Sequence, residues 1–297
     1  MFKKLLIIGC GLIGSSILRG CVNKKISKKI FVFEKSKKNI SKIRKINSKI
    51  MILKKLDKRI SDIDIVVVST PMSEYQKIIP SLNKFLSKKS IITDVGSTKE
   101  NILNFKKKKL NKSLTWILSH PISGSEVSGP EFGTKNLFLN KWCILIKDKN
   151  KYKLKKVTKF WKRLGSKVII MDPKNHDEIF ALTSHLPHLI AYNLIKTAQD
   201  FQKKRKKNII KFSAGGLRDF SRIAASNEIM WRDIFFNNKK NMIKGIDMFI
   251  KNLNSFKKNI KNLEDKILIK KLKNSKKARQ QIINLKQDVS KPDFGRE

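Results

Sequence analysis

The segment KKLLIIGCGLIGSS constrains the fold of this chain more than any other part of the sequence. It has the pattern of a buried strand, a glycine turn and the start of a helix, with glycines at Gly9, Gly11 and Gly14. This G-x-G-x-x-G spacing suits a tight turn, close approach of the backbone to a diphosphate, and close packing of helix on strand. Free N–H groups at the start of the helix can then bind phosphate. The segment therefore predicts a dinucleotide site that also includes Leu12 and Ile13.

A carboxylate follows this segment at the spacing that a dinucleotide site requires. Glu34 ends the next apolar run, IFVFE, twenty residues after Gly14. A carboxylate at this place accepts hydrogen bonds from ribose hydroxyls and repels a 2′-phosphate, so the sequence favours NAD. NADP stays open because Lys35, Lys37 and Lys38 come next. The alternative interpretation is that Glu34 is a solvated strand end.

Short runs rich in Val and Ile recur through the first 171 residues and alternate with helix-compatible stretches. They are Leu5–Ile8, Ile30–Phe33, Ile65–Ser69, Ser90–Thr93, Trp116–Ser119, Cys143–Ile146 and Val168–Met171. This alternation predicts an α/β fold, a Rossmann-type doubly wound and largely parallel sheet with helices on both faces. Loops at the carboxyl ends of its strands should line the ligand crevice, among them Ser69, Thr70 and Pro71. Ser97 follows another strand and is either a nicotinamide-side group or an ordinary turn serine.

After Asp172 the sequence shows no further strand pattern. We expect a dinucleotide-binding domain over 1–171, an all-helical substrate and dimerisation domain over 172–275, and a polar, loose tail over 276–297. A helix from about His176 toward Lys196 contains Pro187, which should kink it. Near the end, apolar residues at heptad period predict a seam that packs within its domain or, as we favour, forms a homodimer. The seam comprises Met242, Ile246, Phe249, Leu253, Phe256, Ile260, Leu263 and Ile267.

The charge of the chain is not by itself evidence for nucleic-acid binding. The formal net charge is +45, but all except ten of the 68 basic residues are lysines, spread over every segment. A surface that binds phosphate groups would be clustered and richer in arginine. We therefore expect no nucleic-acid partner, although the positive surface should attract acidic metabolites.

Cysteine usage and hydropathy indicate the cellular compartment of the protein. Cys10, Cys21 and Cys143 have neither a disulfide framework nor paired metal-ligand spacing, which favours a reducing cytoplasm. No stretch reaches the ~20 apolar residues that span a bilayer, so we expect no membrane partner.

All four histidines fall in two short segments, SHPISGSEVSG and HDEIFALTSHLPH. Histidine titrates near neutrality and is suited to proton transfer. His120 follows the strand Trp116–Ser119 at the expected crevice, where it is either a general base or a structural histidine. His176, His185 and His188 have no cysteine nearby, and a proline separates the last two. We therefore expect no metal site, and these three histidines either line a substrate pocket or pack a helix.

A second charged motif lies in GGLRDFSRIAASNEIMW. Asp219 and Arg222 are three positions apart on a predicted helix, where they can form an isolated salt bridge. Alternatively, Arg222 and Arg218 present a guanidinium fork to a carboxylate of the substrate.

Together these segments resemble the prephenate/arogenate dehydrogenase family of tyrosine biosynthesis. The matching strings run in family order over about residues 3–238 and are GCGLIGSS, STP, DVGSTK, SHPISGSE, NLF, HDEIFALTSHLPHLIA and GGLRDFSRIAASNEIMWRDIFFNN. The resemblance implies an N-terminal Rossmann domain and an all-helical C-terminal domain that dimerises. It also implies NAD(P)-dependent oxidative decarboxylation of prephenate or arogenate to 4-hydroxyphenylpyruvate or tyrosine.

The resemblance further implies roles for individual residues. His120 would accept the proton of the substrate's 4-hydroxyl as hydride leaves the same ring carbon, and Ser97 would hydrogen-bond that hydroxyl. Arg222 would hold a substrate carboxylate, with Asp219 orienting that region. The other residues would line or brace the pocket: His188, His185, Ser125, Glu126 and Trp231.

Two other classes stay open at this point. A 3-hydroxyacid dehydrogenase shares the plan of a Rossmann domain followed by a helical domain, but would more naturally use a catalytic lysine in the helical domain. A basic nucleic-acid-binding protein would bind duplexes tightly and with steep salt dependence.

Overall fold

The computed structural model describes residues 2–287, and within them the chain forms nine β-strands and eleven α-helices. The strands are β1 (Phe2–Ile8), β2 (Ser27–Phe33), β3 (Met51–Leu53), β4 (Ile65–Val68), β5 (Ile91–Asp94), β6 (Thr115–Ile117), β7 (Ser119–Pro121), β8 (Trp142–Ile146) and β9 (Lys167–Met171). The helices are α1 (Leu12–Asn23), α2 (Lys37–Arg44), α3 (Tyr75–Phe85), α4 (Glu100–Lys109), α5 (Lys151–Leu164), α6 (Pro173–Phe180), α7 (Leu186–Arg205), α8 (Gly215–Ala224), α9 (Glu228–Asn237), α10 (Lys239–Lys261) and α11 (Asp265–Asn284).

Six strands form a parallel sheet in the order β3-β2-β1-β4-β5-β6. Leu5 of the central strand β1 lies opposite Ile30 of β2 on one side and Ile65 of β4 on the other. The strand order reverses between β1 and β4, and open sheets of this kind bind ligands in the crevice outside the carboxyl ends of the strands at that point. The predicted Rossmann-type doubly wound sheet, followed by a helical region, is confirmed.

The core lies on both faces of this sheet, because successive side chains of a strand point to opposite faces. Leu5 packs in an apolar cluster with Trp161, whereas Leu6 packs in a second cluster with Trp116. Trp231, from the helical region, belongs to the second cluster. Helix α9 is therefore held against the strands that carry the ligand crevice.

All seven predicted runs overlap strands, and the structure differs from the prediction in two places. The sequence prediction omits β3, because Met51–Leu53 offers only three residues at the edge of the sheet. The run Trp116–Ser119 is divided at Leu118: β6 ends the large sheet, and β7 begins a second sheet in the order β7-β8-β9, antiparallel to β8. His120 therefore lies inside a strand, not in a loop after one.

In place of the single kinked helix predicted around Pro187, the structure has three consecutive elements. Helix α6 ends at Phe180, Ala181–His185 form a π-helical turn, and α7 begins at Leu186. Proline has no N–H to donate, and the wider π turn accommodates the missing bond within a continuous helical path. Such turns are frequent at functional sites, and this one carries His185.

The chain divides into two compact units, Met1–Met242 and Ile243–Glu297. Within residues 2–287 the last strand ends at Met171, but α6 to α9 belong to the first unit. The boundaries expected from the sequence, 1–171 and 172–275, thus mark the change from strands to helices rather than the division between compact units. Across residues 2–287, none of the helices combines the length and apolar character needed to traverse a bilayer.

The predicted heptad seam does not run along one helix. Helix α10 ends at Lys261, and Leu263 adopts a left-handed φ of 53° before α11 begins. Lys271 of α11 donates to Ser255 Oγ of α10 at 2.6 Å, so the chain turns back on itself. The prediction of a continuous seam is wrong beyond Ile260, because the turn separates the last two seam residues from the rest.

The tail expected over 276–297 begins inside α11. Residues 276–284 are helical, since KKARQQIIN consists mostly of residues with good helix propensity. Residues 288–297 lie outside the described residues, so the expectation for that part is not addressed.

Candidate active site

The loop between β1 and α1 has a geometry that requires glycine at two positions. Gly9 has a φ of 80°, in the region that favours glycine. A Cβ on Gly14 would lie 2.2 Å from the Gly9 carbonyl oxygen, so α1 packs too closely on the loop for any side chain there. The Gly9 N–H also donates to the Phe33 carbonyl oxygen at 2.9 Å, which ties the loop to the end of β2.

Gly11 faces open space instead. A Cβ at this position would meet no atom of the described chain within 4 Å. Gly11 is the N-cap of α1 and makes no side-chain capping bond, so the first turn, with Leu12 and Ile13, keeps backbone N–H groups available. These free N–H groups border a space that a side chain at position 11 would occupy. The diphosphate of a dinucleotide fits such a space.

Glu34 lies against this loop, directly after β2. Its Oε2 accepts a hydrogen bond from the Cys10 N–H at 2.9 Å, and its Oε1 accepts one from the Ser36 N–H at 2.9 Å. The carboxylate is therefore a fixed, half-buried part of the loop rather than a freely solvated strand end. This position fits the recognition of a ribose next to the diphosphate.

The loop after β4 braces the glycine loop. Ser69 Oγ donates to the Gly9 carbonyl oxygen at 2.6 Å. Thr70 lies next to the same glycine, and its Oγ1 is buried without a hydrogen-bond partner in the described residues. Pro71 leads into a 3₁₀ turn over Met72–Glu74. Ser69 thus supports the loop, while the Thr70 hydroxyl keeps its hydrogen-bonding capacity.

His120 is joined to His176, for which the sequence left open a pocket-lining or a packing role, and through it to Asp177, which the sequence analysis did not single out. Its Nδ1 lies 2.9 Å from His176 Nε2, and His176 Nδ1 lies 2.7 Å from Asp177 Oδ1. Phe180 packs against both rings, with centroid distances of 5.0 Å to His120 and 4.6 Å to His176. We refer to His120, His176 and Asp177 as the imidazole chain. It connects β7 to the first helix after the sheets.

The imidazole chain lies in a setting that keeps its histidines neutral. Burial, above all, holds the pKa of His120 well below its ordinary value of 6.5, and electrostatic interactions with Lys99 and with the neighbouring imidazoles of His176 and His185 lower it further. Burial also lowers the pKa of His176, against the opposing influence of Asp177. A neutral imidazole can accept a proton, so His120 has the protonation state that a general base needs at neutral pH.

A buried ion pair lies beside the imidazole chain. Lys99 Nζ and Asp94 Oδ2 are 2.7 Å apart, and both side chains are fully buried. Asp94 Oδ1 also accepts hydrogen bonds from Trp116 Nε1 at 3.2 Å and from the Ser119 N–H at 3.1 Å. A buried charge is tolerated only when it is satisfied in this way. The Lys99 N–H donates to Asp177 Oδ1 at 2.8 Å, so the ion pair and the imidazole chain are linked.

His185 and Ser97 lie together on another side of this region. The His185 ring lies near the Ser97 backbone, and its Nδ1 lies 3.1 Å from Asn238 Nδ2, whereas its Nε2 has no hydrogen-bond partner within the described residues. Burial lowers the pKa of His185 to about 4, so it is neutral over the physiological range. Ser97 is half-buried, and within residues 2–287 no hydrogen bond joins it to His120.

His188 is stacked on Trp231, with ring centroids 3.8 Å apart and an interplanar angle of 23°. His188 Nδ1 lies 2.9 Å from the Ser184 carbonyl oxygen, to which it donates, so Nε2 is left as the acceptor. Trp231 is buried, and its Nε1 finds no hydrogen-bond partner within the described residues. The two stacked rings therefore form a flat surface, and His188 Nε2 and Trp231 Nε1 keep their hydrogen-bonding capacity.

The charged motif on α8 reaches the loop after β7. Arg222 Nη1 lies 3.4 Å from Glu126 Oε2, in a pair that is exposed on the arginine side. An exposed pair of this length contributes little stability, so the guanidinium is easily released to another anion. Asp219 is half-buried on the same helix, and Ser125 is exposed, with its Oγ accepting from the Val127 N–H at 3.3 Å.

The structure thus gathers many of the predicted residues in pairs: His185 with Ser97, His188 with Trp231, and Glu126 with Arg222. Sequence reasoning missed the roles of His176, Asp177 and the Asp94–Lys99 ion pair. The signal for the first two was the dipeptide His-Asp, and for the ion pair it was the charged ends of DVGSTK. Over residues 2–287, no three or more His, Cys, Asp or Glu side chains are placed to hold a metal ion.

Two family models match this chain. The nucleotide-binding domain of prephenate dehydrogenase matches residues 19–170, and the prephenate dehydrogenase dimerization domain matches residues 172–274. The chain belongs to the prephenate dehydrogenase family. The predicted resemblance and the predicted enzyme class, an oxidoreductase with a nucleotide-binding domain, are confirmed.

Individual relatives agree with the family models. A cyclohexadienyl dehydrogenase of Zymomonas mobilis is 31% identical over 94% of this chain and 96% of its own length. A prephenate dehydrogenase of Lactococcus lactis is 30% identical over 94% of this chain and 77% of its own length. The crystal structure of prephenate dehydrogenase from Aquifex aeolicus in complex with hydroxyphenyl propionate and NAD+ superposes with a TM-score of 0.88 at 33% identity, over 95% of this chain and 99% of that one.

Proposed function

We propose that this protein catalyses the NAD(P)-dependent oxidative decarboxylation of prephenate, arogenate or both, with His120 as the proton acceptor. The observation that carries the proposal is the buried, neutral imidazole of His120 in a nucleotide-binding fold of the prephenate dehydrogenase family. Proton removal from an alcohol must accompany hydride loss from the same carbon, and a neutral histidine supplies that function.

In this proposal the reaction begins at the ring carbon that carries the 4-hydroxyl. A dinucleotide held by the glycine loop would supply the hydride acceptor for that carbon. His120 removes the hydroxyl proton, so the carbon–oxygen bond becomes a carbonyl. The bond to the ring carboxylate then breaks, CO2 leaves, and its bonding electrons complete the aromatic ring. The phenolate oxygen takes a proton back, and His120 is neutral again.

The other predicted residues act on the substrate in this scheme. Ser97 hydrogen-bonds the reacting hydroxyl, and Arg222 exchanges its weak pair with Glu126 for a substrate carboxylate. Asp219 orients the region around Arg222. His188, His185, Ser125, Glu126 and Trp231 line or brace the pocket.

The glycine loop and Glu34 support NAD as the preferred dinucleotide. Gly9, Gly11 and Gly14, with Leu12 and Ile13, would bind the diphosphate. Glu34 would accept hydrogen bonds from the ribose hydroxyls and disfavour a 2′-phosphate. Ser69, Thr70 and Pro71 would border the nucleotide from the next strand. The Aquifex aeolicus relative, whose structure contains NAD+, agrees with this preference.

We further propose that two copies form a homodimer through the C-terminal helices. The family model that matches 172–274 is named for dimerization. Leu253 and Ile260 of α10 are more than half exposed in the single chain, and such apolar surface is typical of an interface. We also retain the cytoplasm as the compartment, since all three cysteines are buried, unpaired thiols.

The decisive experiment is a direct assay. Purified protein is offered prephenate, arogenate and a 3-hydroxyacid, each with NAD and with NADP, and formation of the reduced nicotinamide is followed by absorbance. We expect reduction with at least one dienol and none with the 3-hydroxyacid. Absence of reduction with both dienols, in protein shown to bind the dinucleotide, would overturn the proposal.

A further inference from the structure

The hydrogen bonds of the imidazole chain determine which nitrogen of His120 carries its proton. Asp177 is a carboxylate and can only accept, so the 2.7 Å contact places a proton on His176 Nδ1. Burial keeps His176 neutral, and its Nε2 therefore holds a lone pair. That lone pair faces His120 Nδ1 at 2.9 Å, so Nδ1 of His120 is the donor. His120 Nε2 is then the basic nitrogen.

We propose that His176 and Asp177 are positioning residues that fix His120 as the Nδ1–H tautomer and stabilise the positive charge it gains on accepting a proton. This inference rests on the proposed function of His120 as general base. His120 Nε2 takes the proton of the substrate hydroxyl, while the Nδ1 proton stays in its bond to His176. The carboxylate stabilises the new charge through the intervening imidazole, and Asp177 itself is not protonated at any step.

Asp177 is held in place independently of the histidines. Its two oxygens accept hydrogen bonds from the Lys99 N–H at 2.8 Å and from the Glu100 N–H at 2.9 Å, at the start of α4. A helix N-terminus interacts favourably with a negative charge, and these contacts fix the orientation of the carboxylate. The Asp177 carbonyl oxygen also accepts from Asn238 Nδ2 at 2.8 Å. The far end of the imidazole chain is therefore rigid.

The groups around His120 favour its neutral form before the reaction. They also favour effective stabilisation by Asp177 of the charge that His120 gains. Phe180 covers both imidazoles, which limits access of water. The charged and titratable groups that face His120 are His176, Lys99 and His185, and Lys99 is already paired with Asp94. In a site of low polarity, a hydrogen-bonded carboxylate stabilises a nearby cation more strongly than it would in water.

The tautomer can be measured directly, because the chain has only four histidines. We expect ¹⁵N chemical shifts of the wild-type imidazoles, assigned with the variant His120→Asn, to show a protonated Nδ1 and an unprotonated Nε2 for His120 at neutral pH. An Nε2–H tautomer for His120 would overturn the inference. This measurement needs no variant of His176 and no substrate.

Two substitutions at position 176 separate a positioning role from a packing role. In His176→Gln the side chain can still accept from His120 and donate to Asp177, whereas in His176→Leu it can do neither. We expect kcat to fall by about 10-fold in His176→Gln and by roughly 100-fold in His176→Leu, with the substrate KM within about 3-fold of wild type in both. Equal kcat values for the two variants, or a change confined to KM, would contradict the inference.

Asp172→Ala is the matched control for damage to the same helix. Asp172 caps α6 by accepting from the Lys174 N–H at 2.9 Å, outside the imidazole chain. We expect this variant to lower the Tm by a few degrees while kcat stays at the wild-type value. Failure of the proposed function would appear as no turnover by the wild-type protein. Failure of the present inference would appear as normal wild-type turnover with unchanged kcat in His176→Leu.

Discussion

The two sides of the candidate active site are built by different means. The glycine loop from Gly9 to Gly14 occupies consecutive positions and acts through its backbone, by a left-handed turn and a close helix contact. The imidazole chain acts through side chains, and its members His120 and His176 are 56 positions apart. The loop carries free N–H groups toward open space, whereas the histidines are buried and already paired with each other.

This contrast indicates how each side responds to change. Backbone geometry is disturbed by adding atoms, even a single methyl group, because the loop has no side chains to rearrange. The imidazole chain is disturbed by removing a nitrogen, since His120 Nδ1 and both nitrogens of His176 each have one defined partner. Variants on the two sides should therefore separate binding of the dinucleotide from turnover.

The largest effect should come from His120→Asn. Asparagine cannot accept a proton at neutral pH, so we expect kcat to fall by about 10²- to 10⁴-fold. Binding of NAD, measured by calorimetry, should stay close to the wild-type value because the glycine loop is untouched. Wild-type turnover in this variant would remove His120 from the mechanism, and lost NAD binding would show that the two sides are not separable.

Acid should lower the free energy of unfolding through the buried histidine His185. Unfolded histidines take up protons near pH 6.5, whereas burial holds the pKa of folded His185 at about 4. The unfolded state therefore binds more protons between these values, and stability falls as the pH drops through this window. His185 alone accounts for a loss of about 3 kcal/mol by pH 4. Urea unfolding at several pH values tests this, and His185→Asn should show a shallower pH dependence.

Arg222→Ala tests the substrate end of the histidine side. Loss of a charged hydrogen bond costs about 1.5–3 kcal/mol, so we expect the substrate KM to rise roughly 10- to 100-fold with a smaller change in kcat. Arg205→Ala, at the exposed end of α7, removes the same charge elsewhere and should leave KM unchanged. An equal rise in both variants would indicate only a general effect of net charge.

Two glycine substitutions test the glycine loop, which is the dinucleotide side of the candidate active site. A Cβ on Gly11 meets nothing in the described chain, so Gly11→Ala should fold normally but raise the Kd for NAD about 10-fold by occupying the diphosphate cradle. A Cβ on Gly14 meets the Gly9 carbonyl oxygen, so Gly14→Ala should lower the free energy of unfolding by about 1–3 kcal/mol. Tight NAD binding by Gly11→Ala would mean that the diphosphate lies elsewhere.

Much of the fold could be predicted from local patterns of apolar residues in the sequence. The runs Leu5–Ile8 and Ile65–Ser69 predict central strands because both faces of the sheet demand apolar residues. The break at Leu118 was not predictable, since one apolar run feeds two sheets and only the packing decides where the first ends. The turn after Lys261 was missed for a similar reason, because the heptad spacing continues through a residue that folds with a positive φ.

The sequence alone determined the family, the Rossmann-type sheet and the enzyme class, because the glycine spacing, the strand periodicity and the quoted motifs are local and adjacent in the chain. It also nominated His120 as a base but left a structural histidine equally open. Only the tertiary structure decided what His120 contacts. Its partner comes from a helix beyond the second sheet, and which groups meet in a buried interior depends on packing that no local pattern records.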